Sequence, residues 1–320
     1  MHGSASDPTS LTVVHVVTLR DPASPLVAQF VPEAGMVGNS LTDAGVQLLG
    51  QRRGLAAYIA AGKTMGIPIL YPWANRLGAH TYTAEGATVT LTPGENGVRT
   101  DPAGLPIHGV LAGYRGWRVT AQSVNEVSAE LDFGADPQLL ASFPYPHLLA
   151  LTVLLAERTL TVRTTVRPTS ERSVPLCFGF HPYLRVPDVA RHEWIIETPP
   201  LCQLRLDERG LPTGEVVRQP AMATELGDEE FDDCYDQVDR GAVFAVRGGR
   251  HRMEVHFEQG YPAAQVFAPR GEDVVCFEPM AAPTDALRRG GYRVARPGEP
   301  AVAVFSVRVE PSSRRPARQS

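Results

Sequence analysis

A period-two alternation of apolar and polar residues runs through most of the chain, and this pattern most limits the fold it can adopt. The stretch TLTVRTTVR, for example, puts Leu160 and Val162 on one face and Arg163 on the other. Successive side chains of a β-strand point to opposite faces of a sheet, whereas a helix repeats every 3.6 residues. The pattern therefore predicts strands that each bury one face.

Turn signals separate these runs. The stretch TYTAEGATVTL is expected to turn at Glu85-Gly86, and AVRGGRHRMEVHF at Gly248-Gly249, since glycine favours tight hairpins. Helix-like pieces such as PQLLASF, residues 137–143, are about two turns long, too short to form a layer of the fold. We therefore predict an all-β protein of many strands in two large packed sheets.

No change in composition along the 320 residues marks a linker, so we expect a single domain over 11–311 with flexible ends at 1–10 and 312–320. A net charge of -5 gives no basic surface for nucleic acid. There is no apolar run of 18 residues and no signal-peptide pattern, which predicts a cytoplasmic protein without a membrane partner. The four cysteines lack paired spacing, so we expect reduced buried thiols.

Polar residues interrupt the alternation at several places. In PWANRLG, Asn75 and Arg76 follow an apolar run stiffened by proline. An arginine held at such a strand end can hydrogen-bond two neighbouring sugar hydroxyls, and a structural ion pair is the alternative. In LPIHGV, His108 precedes a glycine, so it is either a binding residue or a hydrogen-bonded turn residue.

The stretch FGFHPYL places His181 within an apolar and aromatic run. Pro182 cannot donate to a sheet ladder, so the strand is expected to end or bulge at His181. Phe178, Phe180 and Tyr183 are expected to line the wall of a pocket. Histidine exchanges a proton near neutral pH, so His181 is a candidate acid or base, and a hydrogen-bonded core histidine is the alternative.

Acidic residues complete the candidates. Glu278 ends the apolar run VVCF, where a carboxylate is costly to bury unless it is hydrogen-bonded or functional. Burial would raise its pKa, which suits a general base. In EEFDDCYDQV, Asp232 and Asp233 lie beside Phe231 and Tyr235, and either carboxylate could accept hydrogen bonds from hydroxyl groups.

In this order, PWANRLG, LPIHGV, FGFHPYL, FDDCY and FEPMAAPTDAL resemble the aldose 1-epimerase, or mutarotase, family over roughly residues 66–287. The resemblance implies a large antiparallel β-sandwich, the supersandwich, and an isomerase that interconverts the α and β anomers of free sugars such as glucose or galactose. FGFHPYL together with FEP is the specific part of the match. Gly109-Val110 and Asp233-Cys234 depart from the galactose mutarotases and resemble divergent bacterial members.

The resemblance also implies the roles of the site residues. Glu278 is the general base that removes the C1 hydroxyl proton, and His181 is the general acid that protonates the ring oxygen; the roles reverse on closure. The implied sugar-binding residues are Asn75, Arg76, His108 and Asp232, with Asp233 as the alternative to Asp232. The implied partner is a monosaccharide, and the resemblance implies no metal and no organic cofactor.

Three other readings are open. A glycosidase would pair Glu278 with an aspartate but leave His181 without a role. A carbohydrate-binding module would bind sugar without anomer exchange. A hexose-6-phosphate epimerase of the same fold would need extra cations at the cleft, which Arg115 and Arg118 could supply; a solvated strand face is the alternative for these two residues. The GKT at 62–64 is not a nucleotide-binding loop, because Ala57 stands where its first glycine belongs.

Overall fold

The computed structural model describes residues 14–311, most of them in short strands and the turns between them. The ends that we expect to be flexible, 1–10 and 312–320, lie outside the described residues. The strands in chain order are β1 (Val17–Arg20), β2 (Leu26–Val31), β3 (Val37–Asp43), β4 (Val46–Gln47), β5 (Ile69–Leu70), β6 (Thr81–Ala84), β7 (Ala87–Thr90), β8 (Arg118–Gln122), β9 (Glu126–Asp132), β10 (His147–Ala156), β11 (Thr159–Pro168), β12 (Val174–Leu176), β13 (Gly179–Phe180), β14 (Tyr183–Leu184), β15 (Ile195–Thr198), β16 (Leu201–Leu206), β17 (Pro212–Gln219), β18 (Met222–Glu225), β19 (Phe231–Asp236), β20 (Ala242–Gly248), β21 (His251–Gln259), β22 (Ala263–Ala268), β23 (Val275–Met280), β24 (Arg293–Ala295) and β25 (Ala301–Val309).

Two large antiparallel sheets dominate the fold. One has nine strands in the order β18-β15-β20-β21-β25-β11-β10-β9-β8. The other has eight strands, in the order β17-β16-β19-β22-β23-β13-β5, with β14 also paired to β23. Smaller sheets are formed by β1 to β4, by β6 with β7, and by β12 with β24. The predicted all-β class is confirmed.

The two large sheets pack face to face around a shared apolar core. The ring of Phe180 on the eight-stranded sheet lies 4.9 Å from that of Phe305 on the nine-stranded sheet. Phe277 and Phe244 make a similar contact across the layers at 5.6 Å. These aromatic contacts, with ring centroids in the favourable range, join the sheets into a β-sandwich.

The hairpin predictions hold with one correction. β6 and β7 turn at Glu85-Gly86 as expected. In the second hairpin, Gly248 still pairs with His251, so the turn is Gly249-Arg250 and the predicted turn at Gly248-Gly249 is wrong by one residue. The reason is conformational, since Gly249 is the residue with a positive φ, of 56°, which glycine adopts at little cost.

Helices are few and short in the described residues. They are α1 (Gly54–Ala61), α2 (Pro137–Ser142) and α3 (Ala286–Arg289), with 3-10 turns at Pro32–Ala34, Phe133–Ala135 and Arg191–Glu193. α2 confirms the helix expected within 137–143. α1 ends at Gly62, whose left-handed conformation lets its N–H donate to the Tyr58 carbonyl at 2.8 Å. No helix within 14–311 is long and apolar enough to span a bilayer.

Candidate active site

A cavity of about 690 Å³ opens on the eight-stranded sheet, within the range of about 300 to 1,000 Å³ typical of small-molecule sites. Its floor is formed by β19, β22 and β23, which run side by side. Gln265 on β22 lies directly opposite Glu278 on β23, and Asp232 on β19 lies opposite Phe267. The antiparallel register therefore brings residues far apart in sequence to one face of the sheet.

His181 and Glu278 contact each other at this floor. The Nε2 atom of His181 lies 3.2 Å from Oε1 of Glu278, and both side chains are almost fully buried, at 5% and 2% exposure. His181 follows β13 directly, and β14 resumes at Tyr183, so the predicted strand end is confirmed. The break frees the imidazole to face the cavity.

The surroundings of the pair favour its uncharged forms. Burial raises the pKa of Glu278 well above its usual value. The negative charge of Asp232 raises it further, and the positive charge of Arg76 lowers it by a smaller amount. Burial lowers the pKa of His181 well below its usual value, and His108 and Arg52 add to that shift. The favoured state is therefore a protonated Glu278 beside a neutral His181, and transfer of that proton along the 3.2 Å contact converts the pair to carboxylate and imidazolium.

Tyr183 positions the imidazole of His181. The two rings stack with centroids 4.2 Å apart and planes within 10°. The Tyr183 hydroxyl lies 3.0 Å from Nε2 of His181 and 2.6 Å from the hydroxyl of Thr64, and it accepts a hydrogen bond from Arg52 at 3.1 Å. Of the three aromatic residues expected to line the pocket, Tyr183 does so.

The other two aromatic residues of that stretch were assigned wrongly. Phe178 and Phe180 are buried in the main apolar core and do not line the cavity. Alternation explains the difference, because residues 178 and 180 share one parity whereas His181 and Tyr183 share the other. One face of the stretch therefore completes the core and the opposite face builds the site.

Arg76 lies at the cavity within a network of polar contacts. Its Nε donates to Asp101 at 2.8 Å and Nη1 donates to the side-chain carbonyl of Asn75 at 3.1 Å, while Nη2 lies 4.0 Å from Asp232. Arg76 therefore forms the structural ion pair that was the alternative, and it also faces the cavity. Arg76 follows β5 by six residues, in an irregular segment where Asn75 has a positive φ of 52°.

His108 is also a left-handed residue, with a φ of 60°, and its N–H donates to the carbonyl of Asn75 at 2.9 Å. Its ring lies edge-on to His181, with centroids 5.7 Å apart. Burial, aided by the charge of Arg76, lowers the pKa of His108 to about 3. His108 is therefore a neutral hydrogen-bonding group at physiological pH.

The two candidate aspartates point to opposite faces of β19, as neighbours in a strand do. Asp232 lines the cavity and accepts a hydrogen bond from Gln265 at 2.6 Å. Asp233 is not among the lining residues and accepts a hydrogen bond from Gln203 at 2.8 Å on the other face. The structure therefore brings Asp232, and not Asp233, next to Glu278.

Several buried polar atoms of the cavity have no hydrogen-bond partner in the described part of the chain. They are Nη1 of Arg99, Nδ1 of His108, Nδ1 of His181, Oε1 of Gln265 and Oε2 of Glu278. Buried polar atoms in folded proteins are nearly always paired, and an unpaired one is costly. Their concentration around one cavity provides unpaired hydrogen-bonding groups for a polar ligand.

Sequence reasoning missed some lining residues. Gln265 is a single polar residue within the apolar strand AAQVFA, and that interruption is a signal that could have identified it. The cations predicted near the cleft, Arg115 and Arg118, lie outside the cavity lining. The cationic side chains that do line it are Arg52, Arg53, Lys63, Arg76 and Arg99.

Metal ligands are not grouped here: between residues 14 and 311, no cluster of three or more His, Cys, Asp or Glu side chains could hold a metal ion. All four cysteines are free thiols, and three are buried as expected, whereas Cys202 is half-buried.

Fold and site together define an antiparallel β-sandwich with a polar cavity built around a buried histidine and glutamate in contact. The model of the aldose 1-epimerase family matches residues 39–308. The chain therefore belongs to the aldose 1-epimerase family.

Solved structures share the same fold. Slr1438 from Synechocystis sp. PCC 6803 is 21% identical, with a TM-score of 0.76 over 97% of this chain and 99% of that one. A galactose mutarotase related enzyme from Lactobacillus acidophilus is 16% identical, with a TM-score of 0.76 over 93% and 98% of the two chains. A galactose mutarotase-like protein from Clostridium acetobutylicum is 17% identical, with a TM-score of 0.77 over 93% and 98%.

Proposed function

We propose that this protein is an aldose 1-epimerase that interconverts the α and β anomers of an aldohexose by acid and base catalysis. The observation that supports this most is the buried contact of 3.2 Å between Glu278 and His181 at the floor of a polar cavity. Opening a cyclic hemiacetal requires one group to remove the C1 hydroxyl proton and another to protonate the ring oxygen. A pair that shares one proton supplies both groups.

In the proposed mechanism, Glu278 acts as the base and His181 as the acid. Sugar hydroxyls that hydrogen-bond the carboxylate would favour its charged form, so the shared proton moves to His181. Glu278 then removes the C1 hydroxyl proton, the bond from C1 to the ring oxygen breaks, and His181 protonates that oxygen. After rotation about the bond between C1 and C2, the roles reverse, and ring closure restores both groups.

The remaining cavity residues would bind and orient the sugar. Arg76 carries a fixed planar fork that can donate to two neighbouring hydroxyl groups. Asp232 would accept hydrogen bonds from hydroxyls, and His108, being neutral, would bind near the ring oxygen without competing for its proton. Asn75 would support this arrangement through its contact with Arg76 at 3.1 Å.

Polarimetry tests the proposal directly. Freshly dissolved α-D-glucose and α-D-galactose would be followed with wild-type protein and with a folded His181→Asn, Glu278→Gln double variant. We expect faster anomer equilibration with the wild type alone. Equal rates for both proteins with every sugar tried would contradict the proposed function. Sugar binding by both proteins without any exchange would support the carbohydrate-binding alternative instead.

A further inference from the structure

The cavity carries more positive charge than its known partners neutralise. Its five cationic side chains are Arg52, Arg53, Lys63, Arg76 and Arg99. Arg76 is paired with Asp101 at 2.8 Å. Arg52 donates twice to Glu272, at 2.7 Å each. The charges of these two arginines are therefore compensated by carboxylates, which leaves Arg53, Lys63 and Arg99.

Arg53, Lys63 and Arg99 have no carboxylate of residues 14–311 within 4.0 Å of their charged nitrogens. Arg99 is the most enclosed of the three. Its Nη2 donates to the carbonyl of Ala112 at 2.9 Å, while Nη1 is buried without a partner. A partly buried cation without a counter-charge is costly, so we expect a bound anion to compensate the charge of Arg99.

Two of these cations are close neighbours. A Cβ atom on Gly62 would lie 2.3 Å from Nε of Arg99, so the guanidinium of Arg99 lies directly on the backbone at Gly62. Lys63 is the next residue, and it also lines the cavity. The residues that follow α1 and the 94–101 segment therefore meet at a cationic rim, defined here as Lys63 and Arg99. Arg53 precedes α1 and lies at the opposite end of that helix.

A chain of contacts links this rim to the proposed acid. Thr64 follows Lys63, and its hydroxyl lies 2.6 Å from that of Tyr183. The Tyr183 hydroxyl in turn lies 3.0 Å from Nε2 of His181. If His181 faces the ring oxygen, as the proposed function requires, the rim lies nearest C5, the ring carbon that is bonded to that oxygen on the side away from C1.

We propose that the cationic rim is a subsite for an anionic group at C6, and that the preferred substrate is an aldohexose 6-phosphate. The proposal rests on the proposed function for the orientation of the sugar. Phosphate and carboxylate are both bound by arginine and lysine. Two cations without an ion-pair partner match a phosphate, with a charge of about -1.5 to -2 at neutral pH, better than a uronate with a single charge.

Isothermal titration calorimetry on the whole protein tests the subsite independently of catalysis. Glucose 6-phosphate and galactose 6-phosphate would be compared with the free sugars, with glucuronate and galacturonate, and with inorganic phosphate. We expect at least one sugar phosphate to bind tenfold or more tightly than its free sugar, and the advantage to shrink as salt screens it. Inorganic phosphate alone should bind more weakly than that sugar phosphate.

Variants locate the charge responsible. The double variant Lys63→Met, Arg99→Met should reduce the preference for the sugar phosphate over the free sugar at least tenfold. Lys63→Glu provides a second test, because Lys63 is exposed and its replacement should leave folding intact. Arg118→Met is the matched control, since Arg118 is 72% exposed, pairs with Glu130 and lies outside the cavity lining. It should keep the full preference.

Three results would overturn the subsite: equal binding of both sugar phosphates and their free sugars, a preference that survives in the rim variants, or a uronate that binds as tightly as the sugar phosphate. Polarimetry reports separately on the proposed function. Tight sugar-phosphate binding without anomer exchange would reject the reaction and keep the subsite. Exchange of free sugars without a phosphate preference would do the reverse.

Discussion

Replacing Glu278 with glutamine separates its proposed catalytic role from its structural role. Glutamine has nearly the same shape and can still hydrogen-bond His181, so the register of β22 and β23 should survive. The variant has no general base, which contributes about 10²- to 10⁴-fold to rate. At about 1.4 kcal/mol per tenfold change, the barrier should rise by about 3 to 5 kcal/mol.

Folding stability should change in the opposite direction. The pKa of Glu278 is raised in the folded protein, so above its usual value of 4.5 the folded state binds more protons than the unfolded state. The free energy of unfolding of the wild type therefore falls as pH rises from about 4.5 to the raised pKa of Glu278, by up to about 1.4 kcal/mol per pH unit. Glutamine does not titrate, so Glu278→Gln lacks this slope.

His181 has the opposite effect at acid pH, which fixes the conditions of the test. Because its pKa is lowered in the folded state, the wild type gains stability from His181 as pH rises to about 6.5, and nothing further above that value. Urea unfolding at pH 6.5, 7.5 and 8.5 therefore isolates Glu278. The stability of Glu278→Gln relative to the wild type should increase with pH until the pH passes the raised pKa of Glu278.

The control is Glu130→Gln, since Glu130 is a glutamate on β9 of the other sheet, paired with Arg118. It should keep wild-type polarimetric rates and show no comparable relative gain in stability. Anomer exchange by Glu278→Gln within threefold of the wild type would refute the base assignment. A relative stability that falls from pH 6.5 to 8.5 would refute the account of a buried carboxylate with a raised pKa.

Three further substitutions test other parts of the site. Asp232→Asn should lower kcat/KM about tenfold or more by polarimetry and Asp233→Asn less than twofold, since only Asp232 lines the cavity; equal losses would contradict this. Tyr183→Phe removes the hydroxyl 3.0 Å from Nε2 of His181, so kcat should fall about tenfold while KM changes less than twofold. A larger change in KM than in kcat would argue against a role of Tyr183 in positioning His181. The pKa of His108 is about 3 in the folded protein, so His108 should add to the free energy of unfolding of the wild type as pH rises from 3 to about 6.5. In urea titrations His108→Asn should gain less stability over this range, and the same gain as in the wild type would refute the lowered pKa.

The fold was predictable because burial in a sheet repeats every two residues and can be read locally. Leu160, Val162 and Val166 are buried on β11 as their parity requires. Helix α1 was not predicted, because its one buried residue is Tyr58, which leaves no apolar stripe to detect. That residues 11–311 form a single domain stays a prediction.

The candidate site was predictable in residue type but not in arrangement. A histidine before proline and a glutamate at the end of an apolar strand are visible in the sequence, whereas their contact depends on the pairing of β13 and β14 with β23. The choice between Asp232 and Asp233 depends on which face of β19 meets the cavity. Strand register settles both points, and register is a property of the whole sheet.

The cations show most clearly where local reasoning stops. Arg115 and Arg118 were candidates because they follow His108 in sequence, yet the lining cations come from both ends of α1, from the segment after β5 and from the 94–101 segment. Lys63 belongs to a GKT triplet that fails as a nucleotide loop for want of one glycine. The missing glycine excludes phosphate binding by the backbone of a nucleotide-binding loop. The positive charge of Lys63 can still bind a phosphate. In the folded chain Lys63 follows Gly62, whose backbone lies against the guanidinium of Arg99, a residue 36 positions further along the sequence.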